Sequence, residues 1–536
     1  MNQKAVIKLC KDLGCCDACC LRYLGLKNPT AYENVQEFVH KICEESGKHA
    51  QDTETRDLPT QLSESTAEQN STHQCPEPPA KRIKVGGICV SCLGVLQEEN
   101  WQPCCDMVKE VLDKKGYECE TFACALSAPI AALVRERLVA LQLKHDLLEY
   151  DDSSVTPLKE AWKWSFGVRL AEHVGKTLDS GAVSPLLITL HMEYPDELQE
   201  LEALKALAPA LFEARRAAGR RFGVEAGAGG ATRAALAAAG VAGGAPAVRA
   251  RCVSVACAHA PLYLAGRYVK LSRALPQTPW LVNGRRMMHS SVQEIIFEPI
   301  AALYGLSPEA AEHRLKFMSA GREDVDVRCL GDGRPFAVEV TDPTRQPSEA
   351  ELKELCEQIS VGGQVVVRSL VPIHREQLAL LKKGEETKCK TYEALCIKLS
   401  HSRDDLAEGG GDVRVTPRDI AALNAYRNTP PGDSARVQLT QRTPIRVLHR
   451  RPLLARARRI LELRARAVPA QPALLALRVR TEAGTYVKEW AHGELGRTRP
   501  SLADALGARV DILALDVAAV ELPWPPAPDD KAPSDQ

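Results

Sequence analysis

The stretch that decides the fold is GREDVDVRCLGDGRPFAVEV, residues 321–340. Apolar and polar residues alternate over residues 325–329 and again over residues 336–340, which is the period of a β-strand. The Gly-Asp-Gly sequence at residues 331–333 lies between the two runs and predicts a turn. The pattern therefore predicts a β-hairpin, with the carboxylate of Asp324 just before its first strand, at the open end of the hairpin.

An isolated aspartate in a loop is most often a turn-forming or strand-capping residue. The residues around Asp324, however, resemble the catalytic motif of pseudouridine synthases, an Arg-x-Asp in a glycine-rich turn. Two further motifs follow in the order of that family, Lys-Thr-Tyr at residues 390–392 and Gly-Thr-Tyr-Val-Lys at residues 484–488. The longer string resembles the archaeal and eukaryotic tRNA pseudouridine synthases with an N-terminal THUMP domain, the Pus-ten family. The resemblance is strong from residue 266 to residue 525.

This resemblance implies a role for each residue of the three motifs. Asp324 is the expected nucleophile at the ribose C1′, and Tyr392 is expected to stack on the target uracil with its hydroxyl group near C5, as a general base. Lys488 is expected to form an ion pair with Asp324, which favours the charged carboxylate. Arg322 is expected to position the nucleotide. Without the motifs, Tyr392 and Lys488 would be interpreted as an ordinary core residue and an ordinary surface residue.

The resemblance also implies the fold class, which is α+β. We expect a pseudouridine synthase catalytic domain at residues 266–525, with a mixed, mainly antiparallel sheet flanked by helices. An N-terminal accessory domain would bind zinc and contain the THUMP fold. It comprises a zinc-knuckle segment at 1–44, a disordered linker at 45–85, and a second knuckle with the THUMP region at 86–265. Residues 526–536 are expected to form a disordered tail.

Clustered cysteines predict a metal site. The N-terminus has no apolar signal segment, so the 19 cysteines indicate metal ligands in a reducing compartment rather than disulfides. Two Cys-x-x-Cys turns each present a pair of thiolates, although Cys15 and Cys20 leave the register of the first pair open. In the Pus-ten family this pair precedes an arginine by three residues, which is the position of Arg22. The expected ligands of one structural zinc ion per chain are Cys16, Cys19, Cys89 and Cys92.

Net charge is uninformative, because 69 basic residues balance 69 acidic ones, but local charge predicts an RNA partner. Nine arginines stand between residues 441 and 466 against the single acid Glu462, which indicates a surface for phosphates. Residues 266–280 mix cationic and aromatic groups, as a surface that stacks on bases would. The RNA-binding candidates are Arg267, Tyr268, Lys270, Arg273, Arg450, Arg451 and Arg458.

The expected activity is isomerisation of tRNA uridines at T-loop positions 54 and 55, or at one of them, without an organic cofactor. The expected partners are the T-arm and acceptor end of tRNA, with other structured RNAs as further candidates, and the chain is expected to be a monomer that does not bind membranes. A basic string at residues 81–84 resembles nuclear-import signals, so nuclear and cytoplasmic locations are expected.

The alternative is a non-catalytic RNA-binding factor in small-RNA processing, such as that of microRNAs. The intact set of Asp324, Tyr392 and Lys488 favours the enzyme, because a buried carboxylate would hinder a module that only binds an anionic ligand. Methyltransferases and thiouridine synthetases with a THUMP domain would need a cofactor-binding glycine fingerprint or a P-loop, and the sequence contains neither.

Overall fold

The computed structural model describes residues 2–45, 87–179, 181, 183–200, 202, 246–387, 389–402, 411–425 and 437–526. The chain divides into two compact units, Met1–Ala260 and Pro261–Gln536. The expected boundary after residue 265 therefore falls inside the first strand of the second unit rather than between units. The basic string and nearly all of the predicted linker and tail lie outside the described residues.

The first unit contains helices and a small sheet. Its helices are α1 (Gln3–Asp12), α2 (Asp17–Tyr23), α3 (Pro29–Glu33), α4 (Val35–Glu45), α5 (Trp101–Lys115), α6 (Ile130–Asp146) and α7 (Leu158–Val174). Its strands are β1 (Thr121–Ser127), β2 (Thr177–Leu178), β3 (Leu186–Glu193) and β4 (Arg251–His259). The strand order is β2-β1-β3-β4, in which β1 is parallel to both of its neighbours and β4 is antiparallel to β3.

Side-chain alternation explains how this small sheet packs. In β3, Leu186, Ile188 and Leu190 are buried, whereas Leu187 between them is exposed. The buried side chains join a core in which Trp162 and Phe166 of α7 stack on each other, with ring centroids 4.8 Å apart. The period-2 pattern of the sequence thus places one face of the sheet against apolar side chains of helices.

The second unit contains a large sheet with helices around it. Its longer strands are β5 (Leu262–Lys270), β8 (Leu315–Ser319), β9 (Arg328–Val340), β10 (Val365–Ile373), β11 (Lys390–Lys398), β12 (Val437–Arg442), β13 (Ala455–Val468), β14 (Gln471–Thr481) and β16 (Val510–Val520). The two-residue strands are β6 (Leu281–Val282), β7 (Arg285–Arg286) and β15 (Thr498–Arg499). The helices are α8 (Val292–Leu303), α9 (Pro308–Arg314), α10 (Glu349–Ser360), α11 (Leu378–Thr387), α12 (Pro417–Ala425), α13 (Val487–His492) and α14 (Leu502–Leu506).

The strand order of this ten-stranded sheet is β10-β5-β9-β16-β11-β14-β13-β12-β15, with β8 paired to β9 outside this path. Within it, β9 and β16 are parallel and the other described neighbours are antiparallel. The expected α+β class with a mixed, mainly antiparallel sheet is confirmed. In the described part of the chain, no helix is both long and apolar enough to cross a bilayer.

The predicted hairpin at residues 325–340 is wrong. Residues 325 and 326 form a turn, and a single strand, β9, runs through the glycines. Gly331 and Gly333 adopt φ values of 63° and 81°, and a Cβ atom at position 333 would lie 2.5 Å from the carbonyl oxygen of Tyr268. These glycines lie in an irregularity of the β5–β9 pairing, because Tyr268 pairs with Arg334 whereas Lys270, two residues on, pairs with Cys329. Cys329 also pairs with Val517 of β16 on its other side.

Candidate active site

Asp324 lies in the loop that leads into β9, and its side chain is one-third exposed to a pocket of ≈ 220 Å³. The pocket is built by residues from distant parts of the chain, because β11, β16 and the segment before α13 meet the loop there. Its charged and aromatic lining consists of Arg322, Glu323, Asp324, Arg334, Lys390, Tyr392, Arg446, Arg450, Arg451, Tyr486 and Lys488. The structure thus brings Asp324 together with the two partners that the sequence motifs indicated, Tyr392 and Lys488.

Residues 266–280 hold the backbone of the Asp324 loop. The Lys270 ammonium donates hydrogen bonds to the carbonyl oxygens of Asp324 and Val325 at 3.1 and 2.9 Å. Arg273 donates to the carbonyl oxygen of Asp326 at 2.9 Å, and Gln277 donates to that of Gly321 at 3.0 Å. These hydrogen bonds hold the backbone of the loop at several consecutive carbonyl groups. The fixed backbone in turn sets the direction of the Asp324 side chain.

The expectation that Tyr268 and Lys270 contact RNA is wrong, and Arg267 and Arg273 are engaged by protein groups. Tyr268 and Lys270 are 0% exposed, which leaves no ring face or ammonium group for RNA. Arg267 donates to the carbonyl oxygens of Gly333 and Val520, both at 2.9 Å. Arg273 forms an ion pair with Asp516 at 2.6 Å. The cationic and aromatic mixture that resembled an RNA surface instead supplies internal donors to the loop and to the sheet.

Glu323, next to the nucleophile candidate, is locked in a buried ion pair. Its carboxylate lies 2.6 Å from Nε of Arg334, and both side chains are at most 1% exposed. The Tyr268 hydroxyl donates to the same carboxylate at 2.8 Å. Burial, together with Glu323, raises the pKa of Tyr268 well above its usual range, so this phenol stays a donor. Glu323 is thereby directed into the protein while Asp324 faces the pocket.

Two cations contact the Asp324 carboxylate. Nη1 of Arg446 lies 3.0 Å from Oδ2, and Nζ of Lys488 lies 3.4 Å from the same oxygen. Lys488 is closer to Asp326, at 2.8 Å, so it bridges two carboxylates. Burial opposes ionisation of Asp326, but Lys488 outweighs it and lowers the pKa of that carboxyl group. Sequence reasoning anticipated Lys488 and missed Arg446, which it grouped with the phosphate-binding arginines, since no motif connects positions 324 and 446.

Helix α13 orients Arg446. Nε of Arg446 donates to Oε1 of Glu489 at 2.6 Å, and Glu489 is 2% exposed. Desolvation opposes the charge on Arg446, but Glu489 and Asp324 outweigh it and raise the pKa of the guanidinium group. Because Lys488 and Glu489 are adjacent in α13, one short helix presents a cation to Asp324 and a carboxylate to the second cation. The resemblance indicated the lysine but not the glutamate that follows it.

Tyr392 stands on β11, half-buried at the pocket wall. In the sheet register it pairs with Val479 on one side and Val517 on the other, so its ring is supported by apolar neighbours. Burial raises the pKa of Tyr392 to about 12. The phenol is therefore protonated at neutral pH and can donate a hydrogen bond.

The remaining arginine candidates have different surroundings. Arg322 is exposed, lines the pocket and donates to Oγ1 of Thr278 at 2.8 Å. Arg450 and Arg451 are exposed at the same pocket. Arg458 is only half-exposed and packs beside Gly484, where its Nη2 would lie 3.2 Å from a Cβ atom at that position. Arg450 and Arg451 are thus placed to meet a ligand of the pocket more directly than Arg458.

In the first unit, the four cysteines predicted as ligands converge. The sulfur atoms of Cys16, Cys19, Cys89 and Cys92 all lie within 4.8 Å of one another. The Sγ atoms of Cys16 and Cys92 are 3.8 Å apart, and a tetrahedral zinc ion with bonds of about 2.3 Å would separate its sulfurs by about 3.8 Å. The donor set and spacing therefore fit a tetrahedral metal ion.

Backbone and side-chain donors surround this cluster. The N–H groups of Cys16 and Cys92 point at the sulfur of Cys89, at 3.3 and 3.5 Å. Arg22 is fully buried, donates to the sulfur of Cys19 at 3.6 Å and forms an ion pair with Glu136. Donors of this kind stabilise thiolates in a metal site, which explains the arginine three residues after the first cysteine pair.

Comparison with known proteins identifies the family. The family profile described as "Pus10, C-terminal" matches residues 263–521, and "Eukaryotic Pus10, N-terminal" matches residues 89–230. The protein named tRNA pseudouridine synthase Pus10 of Xenopus laevis is 30% identical over 549 residues, which is 98% of each chain. Its Homo sapiens counterpart is 30% identical over 567 residues and 99% of each chain. A protein of the same name from Thermofilum pendens is 36% identical over 265 residues, 49% of this chain and 53% of its own. The chain therefore belongs to the Pus10 family.

Proposed function

We propose that this protein is a tRNA pseudouridine synthase that uses Asp324 as its nucleophile. The observation that carries the proposal is the pocket itself, in which Asp324 faces outward between two cations and beside the ring of Tyr392. The relatives that match nearly the whole chain are named for this activity. Family membership and pocket geometry thus support the same chemistry from independent directions.

The reaction needs few chemical groups. Conversion of uridine to pseudouridine breaks the bond from N1 of the base to C1′ and forms a bond from C5 to C1′. A proton leaves C5 and a proton is added to N1, so no atom is gained or lost overall. Retaining glycosidases likewise place a carboxylate at the anomeric carbon, where it acts as the nucleophile. The protein therefore has to supply a carboxylate and a platform that holds the detached base.

Asp324 is the carboxylate available for this role. Among the described residues that line the pocket, the acids are Glu323 and Asp324, and Glu323 is held by Arg334. Arg446 and Lys488 form ion pairs with Asp324 and keep its oxygens in a fixed direction. In the reaction, Asp324 attacks or stabilises C1′ as the N1 bond breaks.

Tyr392 supplies the platform. Its ring faces the pocket from a β-strand, and such a ring can stack on a uracil that has been turned out of the RNA. Because the pKa of Tyr392 is about 12, its hydroxyl acts as a hydrogen-bond donor to the base rather than as a general base at neutral pH. The proton at C5 must then be accepted by another group, for which the Asp324 carboxylate is our choice.

We further propose that the four-cysteine cluster binds one structural zinc ion per chain. Four sulfur ligands complete a tetrahedral shell, so the ion would have no position for water or substrate. Its contribution would be to join the segment that carries Cys16 and Cys19 to the segment that carries Cys89 and Cys92. Cys15 and Cys20 lie outside the set of four sulfurs, which supports the register that starts at Cys16.

The finer features of the substrate also belong to this proposal. The uridine would be in the T-loop, at position 54, 55 or both, and the first unit would bind the acceptor end as a THUMP-containing module. Arg450 and Arg451, exposed at the pocket, would contact phosphates next to the flipped nucleotide without reading sequence. The protein would act as a monomer.

The test is incubation of the full chain with unmodified tRNA transcripts, followed by carbodiimide treatment and primer extension. We expect a stop in the T-loop. Absence of pseudouridine from every transcript, with tRNA binding retained, would instead support a non-catalytic RNA-binding factor. Replacing Arg450 and Arg451 with alanine should weaken tRNA binding without moving the modified uridine, whereas a changed position would show that these side chains read bases.

A further inference from the structure

The large sheet carries a row of charged side chains on the face away from the Asp324 pocket. The register joins five adjacent strands at one level. In strand order from β13 to β9, the row is Arg464, Arg478, Glu393, Asp516 and Arg328. Tyr392 directly precedes Glu393 in β11, and successive side chains of a strand point to opposite faces. The charged row and the catalytic ring therefore lie on opposite faces of the same strands.

A groove of ≈ 530 Å³ lies along this row. The next level of the register places Arg466 beside Ala476, Leu395 and Ala514. Ala476 and Ala514 leave room above the backbone at this level, and Arg466 stands at its β13 end. The groove shares no lining residue with the Asp324 pocket, so it is a separate site of the second unit.

The groove has an excess of positive charge. Five arginines and two carboxylates line it, which leaves a net charge of +3. Both carboxylates are already in ion pairs with arginines of the groove. Asp516 pairs with Arg273 and Arg328, and Glu393 pairs with Arg478 at 3.0 Å. Arg464 and Arg466 are exposed and have no ion-pair partner among the residues that the structure describes. These two guanidinium groups are open to an anionic ligand.

We propose that this groove is a second binding site for the RNA backbone, with Arg464 and Arg466 as its phosphate contacts. Arginine binds phosphate through two parallel hydrogen bonds, which suits a groove whose cations are all guanidinium groups. No aromatic ring lines the groove in the described part of the chain, so it offers no stacking platform and no basis for reading sequence. The proposal rests on the proposed function in one respect, that RNA is the polyanion.

The position of the groove sets a length requirement on the RNA. A ligand that occupies the Asp324 pocket on one face and this groove on the other must pass around the sheet. A short hairpin that fills only the pocket cannot contact both. The groove should therefore contribute to the affinity for a whole tRNA and not to the affinity for an isolated T-arm.

The experiment compares Arg464→Ala/Arg466→Ala with wild type in the full chain. The control is Arg368→Ala/Arg375→Ala, which removes the same charge from exposed positions on and after β10, at the far end of the sheet order. The ligands are an unmodified full-length tRNA transcript and an isolated T-arm hairpin transcript. Dissociation constants are measured over a salt series, and the single-turnover rate is measured at saturating transcript.

For the full-length transcript, the slope of log affinity against log salt should fall by about 1.5 in the groove variant, since two phosphate contacts are lost. The hairpin affinity, the single-turnover rate and both slopes of the control should be unchanged. Arg464→Lys/Arg466→Lys should restore most of the slope, which shows that charge rather than folding is responsible.

An unchanged slope for the full-length transcript would overturn the proposal, as would equal weakening for transcript and hairpin. Poly-L-glutamate serves as a third ligand, and a groove variant that loses affinity for it while its RNA affinity is unchanged would overturn the proposal in favour of an acidic protein partner. The binding measurements do not depend on turnover. Wild-type protein that binds tRNA without forming pseudouridine would therefore refute the proposed activity. The role of the groove would still be tested by comparing the tRNA affinities of wild type and the groove variant.

Discussion

Arg446 and Asp324 form an ion pair across 122 residues of sequence, with Nη1 and Oδ2 3.0 Å apart. The same guanidinium group donates from Nε to Glu489 at 2.6 Å. A planar group held by carboxylates at two of its edges cannot rotate freely, so Arg446 both neutralises Asp324 and fixes its direction. The pocket therefore contains a second cation, placed by a buried glutamate, in addition to the lysine of the sequence motif.

Replacement of Arg446 tests this arrangement. We expect Arg446→Lys to lower the single-turnover rate about 100-fold, because an ammonium group cannot bind Asp324 and Glu489 in the fork geometry and the nucleophile loses its alignment. The dissociation constant for tRNA should change by much less than the rate. Arg442→Ala, an exposed arginine of the same segment, is the control. A rate for Arg446→Lys that stays within threefold of wild type would contradict the positioning role.

The buried pair of Glu323 and Arg334 should stabilise the second unit. Glu323→Gln leaves the Arg334 charge buried without a counter-charge, and we expect a loss of about 3 kcal/mol in the free energy of unfolding. Hydrogen exchange measured on peptides of the second unit reports this quantity separately from the first unit. Glu298→Gln, at an exposed position in α8, should change it very little. Equal protection in the two variants would show that the pair contributes nothing.

The cysteine cluster should bind about one metal ion per chain. Cys89→Ser/Cys92→Ser removes two of four ligands, so we expect loss of bound zinc and a lower unfolding temperature for the first unit. Cys43→Ser/Cys119→Ser makes the same chemical change outside the cluster and should retain the metal. The measurements are metal content by atomic absorption and thermal unfolding. Unchanged zinc content in the Cys89/Cys92 variant would mean that the ligands are other residues.

Tyr392 should act through its ring and as a hydrogen-bond donor. Because its pKa is raised to about 12, the phenol is protonated below that value, and the rate should show no titration from it between about pH 6 and pH 9. We expect Tyr392→Leu to lower the single-turnover rate far more than Tyr392→Phe, since only the former removes the stacking surface. Equal losses in the two variants would show that the hydroxyl group carries the whole contribution of Tyr392. A pH-dependent change in the wild-type rate that disappears in Tyr392→Phe would show that the phenolate acts as a base.

Much of the fold was predictable because its signals are local or belong to a motif. The resemblance predicted a mixed, mainly antiparallel sheet, and paired Cys-x-x-Cys turns predicted the cluster that the structure assembles. The order of three motifs predicted that Asp324, Tyr392 and Lys488 would share one pocket. Each motif and each Cys-x-x-Cys turn lies within a few neighbouring residues, which is the range over which sequence patterns are informative.

The failures concern relationships between distant residues. The glycines of residues 331–333 have the composition of a turn, but they form an irregularity within β9 between two positions that both pair with β5, so the strand depends on β5 being present. Tyr268 and Lys270 have the composition of an RNA surface, yet Glu323 and the loop carbonyls are their partners inside the protein. Arg446 is placed at the nucleophile by Glu489, and Arg464 is placed on the opposite face by strand register. The arginine-rich composition of residues 441–466 does not distinguish these two positions.

The most direct measurement is the single-turnover rate of pseudouridine formation by Asp324→Asn on an unmodified tRNA transcript. The substitution removes the charge of the nucleophile and almost no contact area, so we expect no detectable pseudouridine and a tRNA affinity within a few fold of wild type. Asp332→Asn, an exposed aspartate within β9, is the matched control and should retain the wild-type rate. Pseudouridine formed by Asp324→Asn at a rate near that of the control would contradict the assignment of Asp324 as the nucleophile.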